Sequence, residues 1–193
     1  MRVAIFSSGT GTNFEAIADN KDLKKAGLVI SCVITDNPLA KVIEKSKARG
    51  IETIVIDKSE YKTKKEYEET IYEYLKQLNV EYIILAGYMR IVGDTLLNKY
   101  PQRIINIHPA MLPSFPGAHG IRDAFDAKVK QTGVTVHFID SGIDTGPIID
   151  QVAVPILPTD TIEDLEERIH IQEHLLYPHV LNQLINKMRS NNL

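Results

Sequence analysis

Asn106 and His108 stand two residues apart in the apolar run Ile104-Ile105-Asn106-Ile107-His108-Pro109. Side chains alternate along a strand, so these polar groups share one face while Ile105 and Ile107 take the other. An amide and an imidazole converging at the carboxyl end of a buried strand can hold a carbonyl oxygen as it becomes an oxyanion. The competing reading is structural, because Asn and His also end strands by bonding loop backbone. Asp144 weighs against that reading. It lies in the turn Asp140-Ser141-Gly142-Ile143-Asp144-Thr145-Gly146. A carboxylate beside His108 would hold its ring, favour its charged form and relay a proton through water. Asp-Thr-Gly is equally good turn chemistry. It also occurs in aspartic proteases, but those need a second such carboxylate and a β-rich chain, and the sequence has neither.

A second candidate is the glycine turn Ser7-Ser8-Gly9-Thr10-Gly11-Thr12-Asn13. Glycines after a strand let the backbone approach an anion, and a helix opening there presents free N–H groups. A dinucleotide fingerprint would recruit Asp36 near the end of the second strand. Phe14, however, stands where the third glycine belongs, and no Gly-Lys-Ser/Thr ending supports a P-loop. The ligand this turn suits is a single phosphate. The alternative is a tight turn that binds nothing.

These residues need strands to carry them. Apolar runs at 3–6, 28–34, 53–56, 82–85, 104–107 and 134–139 alternate with longer charged segments. The first five runs are nearly continuous in Val, Ile and Leu, as in parallel strands buried on both faces. Tyr67, Ile71, Tyr74, Leu75 and Leu78 follow the spacing of one helix face. The pattern predicts an α/β fold with a doubly wound, mostly parallel sheet. Val134, Val136 and Phe138, then Ile148, Val152 and Val154, suggest extra edge strands. Residues 109–120 read as a long ordered loop, and residues 58–69 as a solvated loop and helix face. A C-terminal helix starts near Thr161, where Thr161-x-x-Asp164 resembles a capping box, and runs towards Tyr177. Pro178 is expected to break or kink it.

The whole of residues 1–193 reads as one domain, long enough to bury roughly 70% of its unfolded surface. With 22 basic and 25 acidic residues the formal net charge is −3, which gives no electrostatic reason to expect nucleic acid or a membrane surface as partner. The single cysteine, Cys32, cannot form an internal disulfide, and a reducing cytoplasm fits it. The chain opens on a strand pattern without the features of a signal peptide. No apolar run approaches the roughly 20 residues of a membrane span. His119, His137, His170, His174 and His179 show no metal-ligand spacing, so no metal is expected. His170 and His174, one helical turn apart, read as helix surface or packing. His137 reads as hydrogen-bonded support for the site.

Taken together, the spaced motifs resemble those of the folate-dependent phosphoribosylglycinamide formyltransferases, over essentially the whole chain. They are Ser8-Gly9-Thr10-Gly11-Thr12-Asn13, Leu85-Ala86-Gly87-Tyr88-Met89-Arg90, and Asn106-Ile107-His108-Pro109 continuing to Leu112-Pro113 and Gly117. Further along come Val136-His137-Phe138, Asp144-Thr145-Gly146-Pro147, and Gln172-Glu173-His174 with Tyr177-Pro178. The resemblance implies a Rossmann-like formyltransferase fold. It further implies transfer of the formyl group of 10-formyltetrahydrofolate to N1-(5-phosphoribosyl)glycinamide, a step of purine synthesis needing no metal. Asn106, His108 and Asp144 would be the catalytic trio. Gly11, Thr12 and Asn13 would hold the acceptor phosphate and Glu173 the ribose hydroxyls, with Pro109 and His170 on the same side. Lys64, Leu85, Met89, Arg90, Ile91, Val92, Leu97 and Ile104 would line the folate pocket. Asn106 and the turn Asp140, Ser141, Gly142, Ile143 and Asp144 would complete it. Isolated Leu85, Leu97 and Ile104 would otherwise read as ordinary core.

Ala110 stands for the usual small hydroxyl residue, Met111 for Leu, His170 for Gln, and Lys64 for an Arg seen in some members. The resemblance implies a monomer or homodimer acting on small molecules only. Two related activities could use the same trio: a formyl-folate hydrolase, normally with an extra domain ahead, and a methionyl-tRNA formyltransferase, normally with one after. A non-catalytic nucleotide-binding module would explain the glycine turn but leave the trio unemployed.

Overall fold

The Val- and Ile-rich runs become β1 (Arg2–Phe6), β2 (Val29–Thr35), β3 (Thr53–Val55), β4 (Tyr82–Leu85) and β5 (Ile104–His108), all paired in parallel. Two further strands, β6 (Gln131–Phe138) and β7 (Ile148–Pro155), extend the sheet antiparallel. The order in this computed structural model, which describes residues 1–191, is β3-β2-β1-β4-β5-β6-β7. It is the doubly wound, mostly parallel sheet that the sequence pattern predicts, with the extra strands at one edge.

Alternation along each strand divides the core between two faces. Val3, Ile5, Ile105 and Ile107 join the cluster under α1 (Thr12–Ala18) and α7 (Ile162–Asn191). Ala4, Phe6 and Ile104 point the other way. They pack beneath α4 (Lys64–Gln77) and α5 (Asp94–Lys99), whose buried contributions include Tyr67, Ile71, Leu75 and Leu96. The α4 stripe is narrower than its sequence suggests, because Tyr74 is exposed. A capping box between Thr63 and Glu66 starts that helix. Short helices α2 (Lys21–Lys25), α3 (Val42–Lys47) and α6 (Gly120–Asp126) complete the chain. Cys32 is buried inside β2, and burial pushes its thiol up to about 12.

Two expectations need correction. Residues 58–69 are not wholly a solvated face, since Tyr67 and Glu68 are buried. Nor does Pro178 end the last helix: α7 continues through it to Asn191. The start is as expected, with Thr161 N donating to Asp164 Oδ2 at 2.8 Å and Asp164 N to Thr161 Oγ1 at 3.1 Å. Proline within a helix costs about 3 kcal/mol. Beyond it, however, Val180, Leu181 and Ile185 are buried against the sheet. At about 1.5–3 kcal/mol for each such side chain, their burial outweighs the break.

Candidate active site

Asn106 and His108 leave β5 on the face that carries Ile104. Over this part of the sheet the cover is loop, from residues 109–119 and 139–147. The first loop turns back so that the Phe115 carbonyl lies 2.7 Å from His108 Nε2. The second brings Asp144 Oδ2 to 3.4 Å from His108 Nδ1 and Asp144 Oδ1 to 3.5 Å from His137 Nε2. Asn106 Nδ2 lies 3.2 Å from the same His137 nitrogen. The trio read from sequence is therefore brought together, and His137 joins it as the expected support.

The local chemistry follows from these contacts. His137 Nδ1 lies 2.8 Å from the Phe138 carbonyl, so it is the donor there. In the neutral ring that leaves Nε2 to accept from Asn106, which fixes one amide N–H and frees the other. Burial by itself would raise the Asp144 carboxyl. The adjacent His137 ring, a hydrogen bond from the Gly117 amide at 2.8 Å and the facing His108 imidazole outweigh it and hold the carboxyl below its ordinary 3.8. Asp144 adopts φ 53, in the left-handed region that a non-glycine residue seldom occupies. A Cβ on Gly120 would stand 3.0 Å from His108 Nε2, so the glycine leaves space for that ring. In the sequence Gly117 stands out only as part of a motif, and Phe115 and Gly120 are not singled out, because what the three supply is an amide, a carbonyl and an absent side chain.

At the amino end of α1 the backbone of Gly11 is left-handed, φ 72, and a Cβ there would lie 2.7 Å from Val42 Cγ2. Thr12 begins the helix and Asn13 follows, buried. Asn13 Nδ2 donates to Glu173 Oε2 at 3.4 Å, and His170 Nδ1 lies 2.8 Å from the same oxygen. That hydrogen bond to Glu173 raises the His170 imidazole. Asn13 Oδ1 is buried without a partner among the described residues. Gly11, Thr12, Asn13, His170 and Glu173 thus converge from α1 and α7. Pro109 lies apart in sequence, next to His108 at the end of β5. No group of three or more His, Cys, Asp or Glu able to hold a metal ion occurs among the described residues.

A cavity of about 350 Å³ opens beside the loop that follows β4. Lys64, Met89, Arg90, Ile91 and Val92 are in its wall, and Lys58, Tyr67, Glu68, Tyr88 and Leu96 complete it. Met89 and Ile91 are 72% and 65% exposed, an unusual state for two neighbouring apolar side chains. Leu85 and Ile104 lie in the core beneath, with Leu97 packed against the same cluster. The turn Asp140–Asp144 is not in the cavity wall. It is braced internally, with Asp140 Oδ1 accepting from Thr145 Oγ1 at 2.7 Å and the Gly142 amide at 3.0 Å. Buried Glu68 accepts from the Gly93 amide at 2.5 Å and the Leu96 amide at 3.4 Å, placing a carboxylate at the start of α5. Asp36 is not free for a ribose: it is bonded to Ser8 and Arg90.

Comparison with known proteins gives a consistent result. The formyl transferase family model matches residues 1–181. The chain is 46% identical to phosphoribosylglycinamide formyltransferase of Bacillus subtilis (strain 168) over 184 residues, covering 95% of this chain and 94% of that protein. It is 38% identical to the trifunctional purine biosynthetic protein adenosine-3 of Drosophila melanogaster, covering 96% of this chain but 14% of that protein. The crystal structure of phosphoribosylglycinamide formyltransferase from Bacillus halodurans is similar with a TM-score of 0.93 at 47% identity, covering 97% of each chain.

Proposed function

Since the chain belongs to the formyl transferase family, we propose that it transfers the formyl group of 10-formyltetrahydrofolate to the amine of N1-(5-phosphoribosyl)glycinamide. The products are formylglycinamide ribonucleotide and tetrahydrofolate, in purine synthesis. The observation that carries this reading is the meeting of Asn106, His108 and Asp144 at the end of β5.

The free amine attacks the formyl carbon, forming the new C–N bond and a tetrahedral oxyanion. The free N–H of Asn106 and the His108 imidazole stabilise that oxygen. His108 Nε2 rests against the Phe115 carbonyl, so the loop at 113–117 gives up this bond when the substrate oxygen takes its place. Asp144 holds the ring from the Nδ1 side and, through water, moves the amine proton to the departing folate nitrogen. Collapse of the intermediate breaks the old C–N bond and restores the carbonyl.

The acceptor's phosphate is assigned to the backbone at Gly11, Thr12 and Asn13, and its ribose hydroxyls to Glu173, with His170 and Pro109 alongside. The carrier is assigned to the cavity of Lys64, Met89, Arg90, Ile91 and Val92, with Leu85, Leu97 and Ile104 below. The turn Asp140, Ser141, Gly142, Ile143 and Asp144 is assigned to the same carrier from outside that wall, on the side of His108. The free, buried Cys32 accords with a cytoplasmic setting. Spectroscopic assay of tetrahydrofolate release tests the proposal: release should require glycinamide ribonucleotide. Release without it would make the protein a hydrolase. No release under either condition, together with retained nucleotide after purification, would make it a binding module.

A further inference from the structure

The glycine turn after β1 and the loop after β4 are joined by one carboxylate. Asp36, just beyond β2, has a side chain only 8% exposed. Its Oδ1 accepts from Ser8 Oγ at 2.5 Å and its Oδ2 from Arg90 Nε at 2.6 Å. The Ser8 hydroxyl is itself an acceptor, taking the Met89 amide at 2.9 Å. Ser8 N donates to the Gly87 carbonyl at 2.9 Å, and Asn37 Nδ2 donates to the Ser8 carbonyl at 3.2 Å. Residues 87–92 belong to no helix or strand, so these bonds substitute for the regular structure that would otherwise fix them.

Each contact has a physical reason. A nearly buried carboxylate is retained only if its oxygens find donors. A guanidinium held through Nε alone keeps both terminal amines for a second anion. The Arg90 side chain remains 42% exposed at the cavity wall. Met89, whose amide is tied back, carries its side chain outward at 72% exposure. The clamp therefore sets both what the loop buries and what it presents.

We infer that Asp36 and Ser8 are positioning residues for the carrier site. They fix the Met89 backbone and orient the Arg90 guanidinium so that its terminal amines meet a carboxylate of the folate. The inference rests on the proposed function only for the identity of that anion; the clamp itself is a property of the ligand-free protein. Neither residue touches the reacting atoms.

Two measurements test it. In steady-state kinetics, Asp36→Ala should raise KM for 10-formyltetrahydrofolate about tenfold or more while moving KM for glycinamide ribonucleotide less than about twofold. Asp36→Asn keeps the shape and one acceptor but loses the charge, and should fall between Asp36→Ala and the parent. In amide hydrogen exchange on ligand-free protein, Ser8→Ala should speed exchange at Met89 about tenfold and leave β5 unchanged. A general loss of packing would instead raise both KM values together and speed exchange throughout; either result overturns the inference, as does Met89 exchange at the parent rate in Ser8→Ala. Were the parent protein to transfer no formyl group, the functional reading would fall, and Met89 exchange would still decide whether the clamp positions the loop.

Discussion

His108 meets an oxygen at each ring nitrogen, Asp144 on one side and the Phe115 carbonyl on the other. The proposed chemistry requires that substituting Asn106 or His108 by Ala lower turnover by about 100-fold or more while circular dichroism stays that of the parent. Near-parent turnover in either variant would remove that residue from the mechanism. Asp144 adds a signature in pH. Its carboxyl sits below the ordinary 3.8 in the folded protein, so folding favours the ionised form. That contribution is complete above the unfolded value and is lost as pH falls through the lower folded value. Asp144→Asn should therefore melt below the parent near neutrality, and the gap in Tm should close below about pH 4. A gap constant with pH would show that the carboxylate's charge adds nothing to stability. At this scale Asn106 and His108 were legible because alternation in a strand assigns faces without knowledge of the partner. Their company was not. The Phe115 carbonyl, the Gly117 amide and the space above Gly120 are backbone features, which side-chain identities do not advertise.

Among the elements, α7 is the one whose sequence misleads most. Pro178 predicts a break or a kink, yet the helix is not broken, because its anchorage lies on both sides of the proline. On one side, Tyr177 is fully buried, and its hydroxyl lies 2.9 Å from both the Leu85 and the Ile105 carbonyls. It links the helix to β4 and β5 next to Asn106. Tyr177→Phe leaves those buried carbonyls without it and should cost about 1–3 kcal/mol, seen as a fall in Tm of about 2–12 °C. An unchanged Tm would mean that the carbonyls are satisfied elsewhere. At the amino end of α1, Gly11→Ala would place a methyl against Val42 in a left-handed backbone. It should weaken glycinamide ribonucleotide far more than folate in calorimetry, and equal losses would argue against a phosphate at this turn. The strands were easily read, since Val- and Ile-rich runs of strand length admit few other structures. Buried Glu68 was not, because its reason for burial is the pair of α5 amides it accepts, which appear only once α4 and α5 pack together.

For the molecule as a whole, strand order matters most. The chain passes from β3 at one edge back across β1 to β4, and open sheets of this kind gather ligands where the order reverses. The glycine turn and the carrier loop follow the two strands that flank that reversal. Glycinamide ribonucleotide at about 100 times its Kd should add about 2.7 kcal/mol of stability and raise Tm by about 5–10 °C. A nicotinamide dinucleotide should add none; the opposite pattern in a thermal-shift series would favour the binding-module reading. Two strands from the reversal's far side, the lone cysteine offers a clock for the same molecule. Cys32 sits fully buried within β2, with its thiol pushed up to about 12, whereas thiol reagents consume the exposed thiolate. Alkylation can proceed only during excursions that lay the middle of the sheet bare. Its rate therefore counts those excursions directly, with no dye or engineered label, and the logarithm of that rate should fall in proportion to the stability that bound substrate adds.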